Sequence, residues 1–484
     1  NNPKAVEEFL QGYYHATKAS LFYEIFGCEP IPNENDCVHA KEIRSNYMVF
    51  KENEAFLLYS PQTAPGMAEN ALRATLTKEI NLLNINTDEV SIKKFSMISA
   101  GLLHTCGILN TGEAVCWGEG FSGQLGNGRT DATNTEMVYV NGNHEFIFIS
   151  SGTYHTCGIL ADGRAVCWGL NNYGQLGDGT NIDKSSPVFA NSDFIFKNIS
   201  AGTYHTCGIL ADGRAVCWGL NSLGQLGDNT FDNKNSPALV NGNHEFESIS
   251  AGSRHSCGVL INGSGVCWGS GIPEKINQAA NPPGSLLGNG ESANTKVPVF
   301  VINDEINNDL AFKLIKSSGT HVCGILADGR IACWGWNSHG QAGFTPSGQN
   351  YGKYKPFLVN QATGITNNFI FIDVSPHSEG GLAASSCGIF GANFQGNVFC
   401  WGLNNYGQLG DGTTTNKDIP VIVKNEIGQE YDFSSITVGG HHACGILVNG
   451  SAVCWGRNTY GQLGDGTITD RHNPILVQEV HYVR

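Results

Sequence analysis

Paired cysteines recur along most of this 484-residue chain and limit its fold more than any other feature. Fourteen of the sixteen cysteines form seven pairs, and successive first cysteines lie 51, 50, 50, 66, 64 and 57 residues apart. The two most similar copies read SGTYHTCGILADGRAVCWGLNNYGQLGDGT from Ser151 and AGTYHTCGILADGRAVCWGLNSLGQLGDNT from Ala201. Self-similarity with a period of about 50 residues indicates a propeller or a solenoid. The chain therefore consists largely of seven copies of one small unit.

Each unit is predicted to contain about four short strands. The segments CGIL and AVCWG flank Asp162-Gly163, and Asp-Gly between two apolar runs is a strong hairpin signal. An apolar stretch precedes each hairpin, and a glycine-rich loop, YGQLGDGT, leads from it to a further short strand. Four-stranded units in radial array are the blades of a β-propeller, whose closure protects the sheet edges. We therefore expect a mainly β fold, with a seven-bladed β-propeller over residues 93–484.

The hairpin register predicts how the cysteines pair. Cys157 and Cys167 lie at equal distances on either side of Asp162, so they oppose each other across the hairpin. Directly opposed residues have Cα atoms about 4.5 to 5.5 Å apart, which a disulfide can bridge. The eight predicted bonds are Cys28–Cys37, Cys106–Cys116, Cys157–Cys167, Cys207–Cys217, Cys257–Cys267, Cys323–Cys333, Cys387–Cys400 and Cys444–Cys454. Such a set predicts an extracellular or cell-surface protein, with the periplasm as an alternative.

Zinc and reduced thiols are the alternatives to disulfides. His155 and Cys157 share one face of a strand with Cys167 opposite, which is a set of ligands that zinc accepts. The sixth unit has Ser385 in the histidine position and still keeps both cysteines. This pattern favours disulfides, and we predict no metal and no cofactor.

Charge and motif content argue against several classes of function. The chain has 43 acidic and 28 basic residues, a net charge of −15, and no basic cluster for the phosphates of nucleic acid. No apolar run reaches the roughly 18 residues that a membrane-spanning helix needs. No GxSxG, HExxH or Walker-type motif is present, so we predict that the protein is not an enzyme.

The repeat GxxHTCGILxDGxxxCWGxNxxGQLGDG resembles that of the regulator-of-chromosome-condensation family, from about Phe95 to Arg484. The resemblance implies a seven-bladed propeller, in agreement with the number of repeats. The paired cysteines are similar to those of secreted bacterial members and of the ectodomains of plant crinkly-type receptor kinases. Functions in the family include guanine-nucleotide exchange, chromatin docking, β-lactamase inhibition and extracellular recognition, so the fold does not fix the function. Disulfides and acidic charge disfavour exchange on a nuclear GTPase.

One position of the repeat varies while its surroundings stay constant. A histidine follows the Ala-Gly turn in six units, and the residue before it varies among the units. The resemblance implies that this turn lies near one end of the propeller shaft. Two interpretations of the histidines stay open: a hydrogen bond between blades, or a ring of imidazoles that faces a partner. The candidate binding residues are Leu103, His104, Tyr154, His155, Tyr204, His205, Arg254, His255, His321, His441 and His442.

Other repeated residues are predicted to be structural. A tryptophan follows the second cysteine in every unit, and strand alternation places it opposite the disulfide, in the wedge between blades. The glycines of YGQLGDGT permit turns with positive φ, and the aspartates of that loop are expected to make Asx-type hydrogen bonds. Three inserted stretches, at about 271–296, 344–369 and 376–386, are candidate binding loops.

Residues 1–92 lack the repeat and are predicted to form a small α+β module. The segment VEEFLQGYYHATKASLFYEIF has apolar residues at helical spacing, NYMVFKENEAFLLYS suggests a hairpin, and MAENALRATLTKEINLL suggests a second helix. This order loosely resembles a type IV pilin or pseudopilin ectodomain. The alternative is a module that caps the propeller or supplies the strand that closes it.

These observations predict a non-enzymatic extracellular propeller that recognises a protein or a glycan, as an adhesin does. A minor pilin or filament-tip adhesin, assembled through the N-terminal helix, is the second hypothesis. A secreted enzyme inhibitor is the third, and a guanine-nucleotide exchange factor is the least favoured.

Overall fold

The computed structural model describes residues 48–51, 54–57, 94–131, 133–272, 284–302, 311–345, 352–359, 369–374, 384–391 and 396–478. The chain divides into two compact units, Asn1–Ile92 and Lys93–Arg484. In the first unit, β1 (Met48–Lys51) pairs with β2 (Glu54–Leu57) as the antiparallel hairpin that the sequence predicts there. The two predicted N-terminal helices and the Cys28–Cys37 bond lie outside the described residues.

The remaining strands form seven four-stranded antiparallel sheets, which are the blades of the predicted β-propeller. Blade one consists of β3 (Phe95–Ala100), β4 (His104–Leu109), β5 (Ala114–Gly118) and β6 (Asn134–Tyr139), and blade two of β7 (Phe146–Ser151), β8 (His155–Leu160), β9 (Ala165–Gly169) and β10 (Lys184–Phe189). Blade three consists of β11 (Phe196–Ala201), β12 (His205–Leu210), β13 (Ala215–Gly219) and β14 (Lys234–Leu239), and blade four of β15 (Phe246–Ala251), β16 (His255–Leu260), β17 (Gly265–Gly269) and β18 (Thr295–Phe300). Blade five consists of β19 (Phe312–Ser317), β20 (His321–Leu326), β21 (Ile331–Trp336) and β22 (Gly352–Leu358), and blade six of β23 (Phe369–Val374), β24 (Ser385–Phe390), β25 (Asn397–Gly402) and β26 (Lys417–Ile422). Blade seven consists of β27 (Phe433–Val438), β28 (His442–Leu447), β29 (Ala452–Gly456) and β30 (Arg471–Leu476). Within each blade the strands pair in the order of the sequence, so every blade is a meander.

The first strand of each blade lies nearest the propeller axis. Neighbouring first strands contact each other around the whole ring, including β27 with β3 across the closure. Thr437 Oγ1 of blade seven accepts a hydrogen bond from the backbone N–H of Ala100 in blade one, at 3.0 Å. The equivalent acceptors in the first four blades are Ser99, Ser150, Ser200 and Ser250. The ring is closed by packing between complete blades, so the alternative in which the N-terminal module supplies a strand is wrong for the seven described sheets.

Each blade carries one disulfide between its second and third strands. The register pairs Cys157 directly with Cys167, as the hairpin argument predicts, and the seven bonded pairs have Cα atoms 4.0 to 4.1 Å apart. The sixth blade keeps the bond between Cys387 and Cys400 across its longer hairpin. All of these cysteines are fully buried. Seven disulfides indicate an oxidising compartment.

Tryptophans fill the wedges between blades, as predicted. Trp218 of blade three is fully buried against its own Phe196 and against the disulfide and aliphatic side chains of blade two. Its indole N–H donates to the carbonyl of Gln175 in blade two at 2.9 Å, and the other six tryptophans make the equivalent bond. Gly177 has a φ of +73°, and a Cβ there would lie 2.8 Å from the indole nitrogen of Trp218. Glycine is therefore required at this place for the tryptophan to fit.

Candidate functional site

Two kinds of loop meet at one end of the propeller. The first strand of each blade leads to the connection that we call the Ala-Gly turn, after its sequence in blades one, three and four. The third strand runs parallel to the first, so the loop from the third to the fourth strand lies at the same end. We call this the loop end. The opposite end, which carries the hairpins between the second and third strands, is the hairpin end. The predicted binding residues follow the Ala-Gly turn and therefore belong to the loop end.

A histidine joins each of five blades to the following one. His155 Nε2 of blade two lies 2.8 Å from Thr206 Oγ1 of blade three, and the Thr206 hydroxyl donates to Gln175 O of blade two at 2.8 Å. Because the single hydroxyl proton goes to the carbonyl, the imidazole must donate through Nε2. We call this arrangement the seam network. The other histidines that make it are His104, His205, His321 and His442.

The seam network changes at two blade boundaries. Between blades six and seven, Ser385 takes the place of the histidine and Ala443 takes the place of the hydroxyl residue. Between blades four and five, Val322 takes the place of the hydroxyl residue. The joint loss of histidine and hydroxyl between blades six and seven is a signal, visible in the sequence, that these residues are partners across the boundary.

The histidines of the candidate face are buried, which corrects the interpretation in which they face a partner. The residues with no exposed surface are His104, His155, His205, His255, His321 and His442. Burial lowers the pKa of His104 and of His205 to about 3. Burial also lowers the pKa of His155 to about 3, assisted by the charges of His205 and His104. Neutral imidazoles therefore hold the blades together, in agreement with the other interpretation.

Thr206→Val is expected to destabilise the propeller because it breaks one seam network. Valine has the shape of threonine, and Val322 shows that it fits this position, but it leaves His155 Nε2 without its acceptor. We expect the free energy of unfolding to fall by roughly 1 to 3 kcal/mol in denaturant titrations. Thr414→Val on an exposed loop is the control, with a change below about 0.5 kcal/mol. Equal effects of the two substitutions would contradict the role of the hydroxyl.

The variable residue before the histidine is accessible in only part of the ring. In blades one to four it is half-buried, as Leu103, Tyr154, Tyr204 and Arg254. In blades five to seven it is buried, as Thr320, Ala384 and His441. The accessible part of the predicted binding face is therefore confined to four consecutive blades.

Three tyrosines meet at the boundary between blades two and three. The rings of Tyr154 and Tyr204 stack with centroids 5.9 Å apart, and Tyr173 packs edge-on against Tyr204 at 5.3 Å. Tyr173 belongs to the third-to-fourth-strand loop of blade two and is 36% exposed. We call these residues the tyrosine cluster. Sequence reasoning missed Tyr173, although the parallel course of the first and third strands places its loop at the same end.

A related contact occurs between blades six and seven. Tyr406, in the loop position of Tyr173, packs against His441 with centroids 5.2 Å apart. The guanidinium of Arg457 lies 5.1 Å from the centre of the Tyr406 ring. Burial, with the charge of Arg457, lowers the pKa of His441 to about 4, so this imidazole is neutral at neutral pH. This boundary therefore offers fewer accessible aromatic atoms than the tyrosine cluster does.

A repeated hydrogen-bond pattern holds the loops of the loop end. In blade two, Asn171 Nδ2 donates to Asp178 Oδ1 and to the carbonyls of Thr180 and Ile182. Asp178 Oδ1 accepts the N–H of Thr180 at 2.9 Å, which is the predicted Asx-type bond. Burial alone would raise the pKa of Asp178, but hydrogen bonds from Thr180 and Asn171 and the charge of Lys184 lower it overall. The same pattern surrounds Asn221, Asn404 and Asn458.

Glu119 is an acidic group within the first of these loops. Burial raises the pKa of Glu119, and a hydrogen bond from Gln124 Nε2 at 3.2 Å opposes the shift.

No group of three or more histidine, cysteine, aspartate or glutamate side chains that could hold a metal occurs among the described residues. Within the same part of the chain, no helix has the length and apolar character needed to cross a membrane.

Two models of the regulator of chromosome condensation (RCC1) repeat match this chain. One matches residues 162–209, 212–259, 395–446 and 449–482, and the other matches residues 95–124, 146–175, 196–225, 312–341 and 433–462. Together the matches cover more than half of the chain and reach into every blade.

Curated relatives share the repeat over different lengths. The Ultraviolet-B receptor UVR8 of Arabidopsis thaliana is 26% identical over 400 residues, which are 81% of this chain and 72% of the receptor. The human probable E3 ubiquitin-protein ligase HERC4 is 40% identical over 84 residues, which are 17% of this chain and 8% of the ligase. The second similarity therefore concerns fewer than two repeats, in a much longer protein.

Solved structures share the fold at low sequence identity. Human WBSCR16 has a TM-score of 0.63 and 20% identity, with 76% of this chain and 94% of that chain covered. Prp20p of Saccharomyces cerevisiae, described with its binding properties to Gsp1p and histones, has a TM-score of 0.62 and 17% identity, with coverage of 80% and 88%. At these identities the likeness establishes the propeller fold alone.

Proposed function

This chain belongs to the RCC1 repeat family, and on that premise we propose that it is a non-enzymatic recognition protein. It binds a macromolecular partner through its loop end, outside the cytosol. The tyrosine cluster is the observation that carries the proposal. Its three rings support one another across a blade boundary, and Tyr173 stays exposed at their edge. Rigid tyrosines supply large contact areas at a low cost in conformational entropy, which is why they are frequent anchors of interfaces.

The compartment and the charge support recognition outside the cytosol. The propeller contains seven disulfides. Disulfide bonds persist in secreted and surface-exposed proteins and are rare in compartments where thiols are kept reduced. A net charge of −15 disfavours contact with nucleic acid. The likeness to crinkly-type ectodomains, filament assembly, enzyme inhibition and nucleotide exchange stay hypotheses, and no contact among the described residues favours any of them over recognition.

The triple substitution Tyr154→Ala, Tyr204→Ala and Arg254→Ala should strongly reduce partner capture without unfolding the propeller. Wild-type protein would be presented to a glycan array and to the extracellular fraction of its own source, with bound species measured by mass spectrometry. We expect bound partner to fall at least roughly tenfold, the scale of losing one or two interface anchors. Phe189→Ala with Leu239→Ala, on exposed outer strands, is the control. Unchanged capture by the triple variant removes Tyr154, Tyr204 and Arg254 from the binding surface.

A further inference from the structure

Large apolar side chains are exposed in consecutive loops of the described part of the loop end, and Ile272 in the blade-four loop, 43% exposed, lies at the border of this sector. Phe121 of blade one, Ile182 of blade two, Phe231 of blade three and Ile468 of blade seven are 56%, 64%, 52% and 60% exposed. All four belong to third-to-fourth-strand loops, and their blades are consecutive around the ring. The loop of blade six has Thr414 and Thr415 at the corresponding place. We call the four apolar residues the rim arc.

Three of the rim arc loops are each joined to the beginning of the fourth strand in the following blade. Gly466 N–H of blade seven donates to Thr135 O of blade one, Gly128 N–H of blade one to Ser185 O of blade two, and Gly179 N–H of blade two to Asn235 O of blade three. The loops of blades two, three and seven are also held within their own blades by Asn171 and its equivalents, whereas blade one has Gly120 at that position. Hydrogen bonds to the following blade therefore hold these loops in place, so the exposed apolar side chains stand on preformed loops.

Acidic side chains alternate with the apolar ones along the rim arc. Asp131, Asp183, Asp232 and Asp470 lie in the same four loops, and Asp183 Oδ1 and Asp470 Oδ1 are held by backbone N–H groups of Asn171 and Asn458. Three cations lie in or beside these loops: Arg129 near Asp131, Lys296 over the Phe231 ring and Arg457 against the Tyr406 ring. A different set of aspartates, those that make the Asx-type bonds within the loops, is ion-paired with other cations, as Asp178 is with Lys184. The carboxylates therefore outnumber the nearby cations, and the whole chain is acidic as well.

The charge and the apolar area together select one kind of occupant. Apolar residues surrounded by polar ones mark protein interaction sites, and complementary charge fixes the choice of partner. We infer that the rim arc docks a protein surface in which apolar side chains alternate with lysine or arginine. The inference rests on the proposed function, since the tyrosine cluster borders the arc in blades two and three. Beyond that function, it specifies which sector of the ring binds the partner and which kinds of side chain the partner presents.

The test uses three short synthetic helical peptides, built from leucine and lysine, from leucine and glutamate, and from serine and lysine. Fluorescence anisotropy with the full chain should show the leucine–lysine peptide bound roughly tenfold or more tightly than either other peptide. The substitutions Phe121→Ser, Ile182→Ser and Phe231→Ser together should weaken that binding about tenfold. Ile147→Ser, Ile261→Ser and Val448→Ser remove as many exposed apolar side chains from the hairpin end and should leave binding unchanged.

Hydrogen exchange on the wild-type complex keeps the inference testable if a variant folds poorly. Protection by the leucine–lysine peptide is expected in the loops at 119–131, 170–183, 220–233 and 457–470. Protection at the hairpin end, equal binding of the serine–lysine peptide, or full binding by the rim arc variant would each overturn the inference. Capture of the natural partner separates the two proposals. If the triple substitution at Tyr154, Tyr204 and Arg254 strongly reduces capture and the rim arc variant still captures fully, the proposed function stands and the rim arc inference is overturned.

Discussion

Acidification below pH 6.5 is expected to unfold the propeller well before its carboxylates are protonated. Five histidines of the seam network are buried and have a pKa lowered by burial to about 3, namely His104, His155, His205, His321 and His442. In the unfolded chain each imidazole returns to its ordinary pKa of about 6.5. The unfolded chain therefore takes up protons that the folded chain cannot accept, and unfolding is favoured as the pH falls.

The sign and the size of the effect follow from these pKa values. The stabilisation is complete above pH 6.5, is lost progressively as the pH falls from 6.5 toward 3, and is exhausted below the folded pKa. Each histidine contributes on the order of 1 kcal/mol per pH unit within that window. Five histidines acting together remove roughly 5 kcal/mol for each pH unit, against an ordinary total stability of about 5 to 15 kcal/mol. Most of the stability is therefore expected to be lost by about pH 5.

Denaturant titrations between pH 7.5 and pH 4.5 would measure the loss. In His205→Gln the glutamine keeps a side-chain N–H for Ser256 but does not titrate. The number of protons taken up on unfolding, and with it the slope of the free energy of unfolding against pH, should therefore fall by about one. His144→Gln, in a half-exposed loop of the hairpin end, is the control and should leave the pH dependence in place. A flat free energy of unfolding between pH 6.5 and pH 5 would show that the histidines are not buried neutral groups.

The sequence predicted the blade because the blade is built from local rules. Asp162-Gly163 sets the hairpin, the two-residue period of a strand then opposes Cys157 and Cys167, and both features appear in the structure. Strand alternation in the same hairpin placed Trp168 in the wedge between blades. These predictions needed no knowledge of neighbouring blades, since each depends on residues within one hairpin.

The sequence predicted the binding face less well because that face depends on contacts between blades. His155 and Tyr154 are adjacent in the chain, yet His155 is fully buried against Thr206 of the next blade while Tyr154 reaches the surface. Tyr173 is distant in sequence from Tyr204 and packs against it because the loop of Tyr173 leans toward the next blade. Within the sequence of a single repeat, nothing shows which of these side chains is buried and which is accessible. Comparison of successive repeats does so in part, as the joint change to Ser385 and Ala443 shows.

The propeller disulfides are expected to resist reduction in the native protein and to be required for its folding. Every bonded cysteine is fully buried, so a reductant reaches the sulfurs only when a blade opens. A bond that closes a loop of about ten residues stabilises the fold by roughly 2 to 3 kcal/mol in the chain-entropy model. Seven such bonds contribute roughly 15 to 20 kcal/mol, which exceeds the ordinary stability of a domain. The fully reduced chain is therefore expected to remain unfolded without denaturant.

Alkylation followed by mass spectrometry would test both halves of this expectation, with each cysteine quantified separately. At pH 7.5, a phosphine reductant should leave the fourteen propeller cysteines unmodified until denaturant is added. At pH 5 the same reductant should open them without denaturant, because protonation of the seam histidines favours unfolding. His205→Gln should slow that reduction and His144→Gln should not. Rapid alkylation at pH 7.5 would contradict the buried bonds, and refolding of the fully reduced chain would contradict their role in stability.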